Sequence, residues 1–175
     1  TYNCVRRRRA MSGVDVLGTA ALVSWPVDSL KNGFVVDGQR AEVLRIAPDR
    51  ILSIEAACLN WNSPSEISLK EATDLARETG DLVGLSETDL GLLALAMEKR
   101  GRMHTDDYRL QNLCSVAGLE WSTVESMGIS QVWTWEIRCI GCGDVTESHK
   151  GTIPSGESLG NCKICGAGLR IARKR

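Results

Sequence analysis

The stretch Ala76-Arg-Glu-Thr-Gly-Asp-Leu-Val-Gly-Leu-Ser-Glu-Thr-Asp-Leu-Gly-Leu-Leu-Ala-Leu-Ala96, continued by Thr105-Asp-Asp-Tyr-Arg-Leu-Gln-Asn112, decides the fold. Upstream, Ser68 with Glu71 reads as a capping box, and Ala72, Leu75 and Ala76 follow on one helical face. Gly80 is the natural end of that helix, because glycine adopts the left-handed conformation a C-cap needs. Ser86 and Asp89 repeat the Ser-x-x-acid pattern and open a second helix through Leu93, Ala94 and Ala96 to Gly101. Arg102 to Thr105 reads as a short strand. Asp106 to Ala117 then forms an amphipathic helix, with Leu110, Leu113 and Val116 or Ala117 at core spacing.

Toward the N-terminus the same alternation appears. Val14 to Val23 reads as a buried strand that turns into a helix at Gly18-Thr19. Residues 38–46 read as a short helix and Ile51 to Ile54 as a strand. Strands alternating with helices indicate a parallel α/β sheet. The first strand lacks a Gly-x-Gly-x-x-Gly turn, which disfavours a dinucleotide enzyme. Near Gly128 the helical periodicity gives way to tryptophan, cysteine and glycine. The expected organisation is a basic arm over 1–12, an α/β domain over 13–128 and a small β module with a basic tail over 129–175.

In that module Cys139-x2-Cys142 and Cys162-x2-Cys165 each carry a glycine after the second cysteine, Gly143 and Gly166. Such knuckles turn both thiolates of a pair toward one ion, and four thiolates suit tetrahedral Zn²⁺. A unit of about 40 residues has too small a core to fold unaided, so the metal supplies folding energy. With four cysteines the site is closed, hence structural. His149 is a substitute ligand or, more simply, a solvated loop residue. Cys58 and Cys114 read as small core residues, and Cys4 has no partner pattern. Gly156 to Gly160 reads as a flexible loop of the ribbon.

Net charge is −1 across 175 residues, but it is uneven. Residues 1–12 carry four arginines and no acid (+4), residues 133–175 seven bases and four acids (+3), and residues 13–132 ten bases and eighteen acids (−8). Basic ends around an acidic centre suit phosphates at the ends and metal ions in the middle, or simply solvated tails on an acidic domain. Neither a membrane-spanning run nor a secretory signal is expected, so the seven cysteines are read as thiols of an intracellular, cytoplasmic protein. Met11 is a candidate natural start.

In parallel sheets, ligands gather at the carboxyl ends of strands. Glu42, Asp89 and the Asp106-Asp107 pair fall there or on helices able to face there. Clustered carboxylates suit Mg²⁺ or Mn²⁺, which can activate water and stabilise a departing phosphodiester oxygen. Each acid also has an ordinary reading: Asp89 as a capping-box acid, Asp107 as a helix N-terminal charge, Glu42 as a surface residue.

The stretches quoted first resemble the archaeal form of the Nin-one-binding protein family, as do the cysteine order and spacing over roughly residues 14–170. These are PIN-domain endonucleases with a C-terminal zinc ribbon that mature the 3′ end of small-subunit ribosomal RNA. The resemblance implies a PIN-like parallel sheet flanked by helices. It makes Glu42 the helix-borne acid, Asp89 the acid of Leu-Ser-x-x-Asp, and Asp107 the acid of Thr-x-Asp. Asp106 assists, and Thr105 and Ser86 support the carboxylates or metal-bound water. It also implies precursor rRNA, the pre-ribosomal small subunit and its assembly factors as partners. One departure stands out. The family's first strand ends Asp-Thr-Ser-Ala, whereas this chain has Gly18-Thr19-Ala20-Ala21, and Gly18 has no side chain to coordinate a metal. Asp15, an odd number of residues earlier, points to the opposite face and is a poor replacement.

For RNA contact the candidates are Arg138, Lys150, Lys163, Arg170, Arg173, Lys174 and Arg175, with Trp133 and Trp135 on one face of a strand. The tryptophans either stack on bases or pack the ribbon against the α/β domain. The leading expectation is a metal-dependent rRNA endonuclease weakened by Gly18, with a 5′-phosphate on the downstream product and a 3′-hydroxyl on the retained rRNA. The alternatives are a non-catalytic RNA- or ribosome-binding module and a PIN-type toxin ribonuclease, whose relatives usually lack a ribbon.

Overall fold

A computed structural model describes residues 13–146 and 159–174. The basic arm with Cys4 and Met11, together with His149, Lys150, Gly156 and Arg175, lies outside the described residues.

Strands β1 (Asp15–Leu17), β2 (Phe34–Val35), β3 (Asn60–Trp61), β4 (Arg102–His104) and β5 (Trp121–Ser122) form one parallel sheet in the order β3-β2-β1-β4-β5. The register sets Val16 beside Phe34 and Met103, and Leu17 beside His104. Side chains alternate along each strand, so the sheet sends Val16 and Met103 into one core and Leu17 and Val35 into the other. Helices α5 (Glu66–Thr79), α6 (Glu87–Lys99) and α7 (Tyr108–Val116) cover the first face. Helices α1 (Thr19–Ser24), α2 (Val27–Leu30), α3 (Gly38–Ile46) and α4 (Ile51–Ala56) cover the second. Every residue from Leu90 to Ala96 of α6 is buried, as befits a helix apolar on all sides. A second, antiparallel sheet in the order β7-β6-β8 is made by β6 (Trp135–Cys139), β7 (Val145–Thr146) and β8 (Leu169–Arg173).

Three local expectations need correction. Ile51 to Ile54 is not a strand but opens α4. Ile51 and Ile54 lie three apart on one helical face toward the core, while Leu52 is 79% exposed. Arg50 just before it donates to the carbonyls of Leu22 and Trp25, so this turn also closes α1. Helix α5 begins earlier than its apolar pattern suggests, because the capping residue is Ser65, whose hydroxyl accepts the Ser68 N–H at 3.2 Å. Cys58 is exposed, on left-handed backbone (φ 51°) after α4, whereas Cys114 is buried as expected. Strands β2, β3 and β5 have two residues each, too few to display a period.

Candidate active site

From β1 the chain proceeds to β2 and β3 on one side, and β4 and β5 lie on the other. The carboxyl ends of β1 and β4 therefore flank the point where strand order reverses, the usual crevice of an open α/β sheet. Gly18 follows β1 and Thr105 follows β4, and the Gly18 N–H donates to the His104 carbonyl at 2.8 Å.

Three half-buried carboxylates are held at this edge, each through one oxygen. Glu42, on α3, accepts the Thr19 hydroxyl at Oε2 (2.6 Å). Asp89 completes a capping box on α6, accepting the Ser86 N–H at 3.0 Å and the Ser86 hydroxyl at 2.7 Å, both at Oδ2. Asp107 caps α7, its Oδ1 accepting the Arg109 N–H at 2.7 Å and the Leu110 N–H at 3.4 Å. Among the described residues, Glu42 Oε1, Asp89 Oδ1 and Asp107 Oδ2 make no hydrogen bond. Burial, and then the charge of nearby Asp89, push the Asp107 carboxyl above the ordinary aspartate range, against the pull of the Arg109 and Leu110 amides. Two acids that repel each other, each with an uncommitted oxygen, are a hard-oxygen donor set that a divalent cation would neutralise.

Thr105 is buried and supports this edge, accepting the Asp107 N–H at 3.1 Å through its hydroxyl. Asp106 is placed differently from expectation. Its two oxygens accept the amides of Val124, Glu125 and Ser126, so it ties the loop after β5 and, unlike the other three acids, has both oxygens hydrogen-bonded. Partial burial pushes its carboxyl up, but those amides outweigh it and hold it low. Asp15 faces away from position 18 as expected, with Oδ1 2.7 Å from His104 Nε2. His104 Nδ1 in turn lies 2.7 Å from the Ser122 hydroxyl.

Two glutamines escaped the sequence reading. Gln39, fully buried, donates to the Leu17 carbonyl at 2.9 Å and accepts the Val36 N–H at 3.0 Å, pinning α3 to β1. Gln111 donates to the Thr105 carbonyl and accepts the Ile129 N–H, both at 2.9 Å. Gln111 lies within the stretch quoted first but was assigned no role there, and Gln39 lies in no motif; the available signal was an uncharged polar residue on an otherwise core-facing side of its helix.

At the far end, the Sγ atoms of Cys139, Cys142, Cys162 and Cys165 all lie within 4.8 Å of one another. Cys139 and Cys165 are 3.4 Å apart, Cys142 and Cys162 3.7 Å. A tetrahedron of ~2.3 Å metal–sulfur bonds has edges of about 3.8 Å, so the thiols fit one ion at their centre. Gly143 and Gly166 take positive φ (76° and 75°), as the knuckle spacing predicts. The Cys142 amide, with that of Gly141, holds the Cys139 thiol down at about 6. At Cys142 the Asp144 amide pulls down, but the thiols of Cys165, Cys139 and Cys162 together push it up to about 12. Four thiols converging on one point cannot all ionise without a cation. Among the described residues this is the one group of three or more ligands gathered so closely.

Arg138, Arg170, Arg173 and Lys174 line a groove of about 830 Å³ along β6 and β8. Lys163 is exposed on the second knuckle. Trp133 and Trp135 pack edge to face with centroids 5.4 Å apart, and the Arg173 guanidinium lies 4.7 Å over Trp133. They sit where the ribbon meets the α/β body, in line with the packing role.

A parallel sheet of this order, flanked by helices and followed by a four-cysteine β module, is the architecture of a PIN-like domain carrying a zinc-ribbon-like module. Residues 16–98 match the family described as the PIN domain of ribonuclease. The chain is 36% identical over 141 residues to the Endoribonuclease Nob1 of Pyrococcus abyssi, covering 81% of each chain. It is 31% identical over 158 residues to the Endoribonuclease Nob1 of Methanothermobacter thermautotrophicus, covering 82% of this chain and 87% of that one. The Ribonuclease VapC1 of Thermoplasma acidophilum is 30% identical over 162 residues, covering 90% and 77%. The chain belongs to the Nob1 family of endoribonucleases. Among the described residues no helix is long and apolar enough to cross a membrane.

Proposed function

We propose that this chain acts on precursor small-subunit rRNA as a metal-dependent endoribonuclease that forms the 3′ end, working on the pre-ribosomal small subunit. The observation that carries this reading is that Glu42, Asp89 and Asp107 are each held through one oxygen, by Thr19 after β1, by the N-terminus of α6 and by the N-terminus of α7 after β4, with the other oxygen uncommitted. Mg²⁺ or Mn²⁺ bound by these acids would supply charge neutralisation and water activation. The chain's own residues do the rest. Thr19, Ser86 and the first amides of α7 hold each carboxylate by its other oxygen, so little reorganises when phosphate arrives. The basic groove of Arg138, Arg170, Arg173 and Lys174, with Lys163, suits an RNA backbone, and Zn²⁺ in the thiolate cluster would keep that groove folded. Asp106 acts on this reading as a loop anchor.

A second reading, an RNA-binding relative with little turnover, is favoured by Gly18. A Cβ built there would stand 2.8 Å from the His104 carbonyl oxygen, so a carboxylate side chain at this position would need the ends of β1 and β4 to shift.

The test is cleavage of an RNA spanning the small-subunit 3′ end with Mn²⁺, comparing this chain with Gly18→Asp and with Asp89→Asn and Asp107→Asn. Cutting at one position that either aspartate variant abolishes supports the nuclease reading. Binding without cutting in every form, unaffected by the aspartate variants, would replace it with the binding-module reading.

A further inference from the structure

The ribbon meets the α/β body through a buried polar cluster that the acidic site does not use. Asp81 follows the C-cap Gly80, and its side chain is fully buried. Its Oδ2 accepts Asn112 Nδ2 at 2.8 Å. The same nitrogen donates to the Trp133 carbonyl at 2.7 Å, while Asn112 Oδ1 accepts the Trp133 N–H at 2.7 Å. One side-chain amide thus pairs with both backbone groups of residue 133, as a strand neighbour would. The Arg109 guanidinium stands 3.9 Å from Asp81 Oδ1 and 5.5 Å over the Trp135 ring.

The glycines on either side are shaped to this contact. A Cβ on Gly80 would stand 2.1 Å from the Trp135 carbonyl oxygen, and one on Gly84 2.2 Å from Arg109 Cζ. Burying a carboxylate costs several kcal/mol before its partners compensate, and apolar side chains would join two surfaces at lower cost. What a polar cluster adds is a single allowed geometry. Arg109 and Asn112 lie on α7, whose capping residue is Asp107, and the Arg109 N–H donates to Asp107 Oδ1 at 2.7 Å. The same turns of helix hold an acid of the site and the entry strand of the ribbon.

We propose that Asp81 is a positioning residue. Through Asn112 and Arg109 it locks the ribbon onto the first turns of α7 in one orientation, so that RNA lying in the ribbon's basic groove presents one phosphodiester to the carboxylates. This rests on the nuclease reading above and adds to it what sets the register of the cut.

The test uses the full zinc-loaded chain with Asp81→Asn and, as a milder second variant, Arg109→Met. Hydrogen exchange reads docking directly. The Trp133 amide is expected to lose protection tenfold or more in either variant. The amides of Cys139 and Cys162, bonded to the carbonyls of Asp144 (2.8 Å) and Ala167 (2.7 Å), keep theirs, showing that the ribbon is still folded. An RNA of about thirty nucleotides, engaging both parts at once, is expected to lose roughly tenfold or more in affinity because the rigid link between two contacts is gone. A tetranucleotide binds as before, and any cuts made with Mn²⁺ spread to neighbouring phosphodiesters. Retained protection at Trp133 in both variants would overturn the proposal, as would undocking with unchanged long-RNA affinity and cut position. Asp89→Asn reports separately: unchanged cutting there sinks the nuclease reading whatever happens at Trp133.

Discussion

The hydroxyl of Thr19 donates to Glu42 Oε2 at 2.6 Å, joining the first residue of α1 to the second turn of α3. With a glycine at position 18, this bond joins Gln39 in linking the end of the central strand to α3 and its acid. Thr19→Val keeps the side-chain shape and removes the donor. Partners of this kind are worth ~10–100-fold in metal affinity. Thr19→Val is expected to weaken Mn²⁺ binding by about tenfold in a calorimetric titration, with the melting temperature little changed.

Gly18→Asp is expected to raise turnover at a cost in stability. The Gly18 N–H already bonds the His104 carbonyl at 2.8 Å, and a Cβ would meet that same oxygen at 2.8 Å, so β1 and β4 must part slightly. Overpacking of this size costs about 1–3 kcal/mol. Gly18→Ala should show the same cost in a denaturant melt without any gain in cleavage. Equal stability in all three forms would mean that the strand end yields freely.

Asp107 gives the site a pH dependence of definite sign. Burial and the charge of Asp89 raise its pKa on folding, so it contributes stability at acid pH that is lost as pH rises through its folded value. At neutral pH the ionised pair is a net cost that a bound cation relieves. Metal binding should therefore fail on acidification at a higher pH than for an ordinary aspartate. In Asp89→Asn the repelling charge is gone and the Asp107 titration, followed by carboxyl ¹³C NMR, moves down. A titration that stays put or moves up would contradict the coupling.

Stripping metal from the cysteines should unfold one sheet and spare the other. Among the described residues the ribbon buries just Ile137, Cys139 and Cys162 of its apolar side chains, whereas the parallel sheet has two separate cores. After chelation or in Cys162→Ser, the amides of β6 and β8 are expected to exchange freely while Val16 and Met103 stay protected. Loss of protection throughout would mean that the α/β body depends on the ribbon for its stability.

The α/β alternation was legible because local chemistry announces it. Ser86 and Asp89 form the capping box their spacing implies, and Gly80 takes the left-handed C-cap its position implies. The four cysteines close on one point because two knuckles leave them little else to do. The two-residue strands β2, β3 and β5 were invisible, since a period needs more residues than they have, and Ile51–Ile54 had the composition of a strand but the geometry of a helix. Asp106 and Asp107 stand adjacent and are chemically identical. Only the folded loop at Val124–Ser126 tells the loop anchor, Asp106, from the acid that caps α7, Asp107.

By itself, then, the sequence determined the elements whose ends are capped within a few residues and the two cysteine knuckles, since both depend on short chain distances. Tertiary structure decided which oxygen of Glu42 is left over, how closely the strand end at Gly18 is packed, and that Asp81, Asn112 and Arg109 converge on the ribbon. Those relationships join residues tens of positions apart, and the energy that selects them lies in burial and hydrogen-bond satisfaction, which no local spacing encodes.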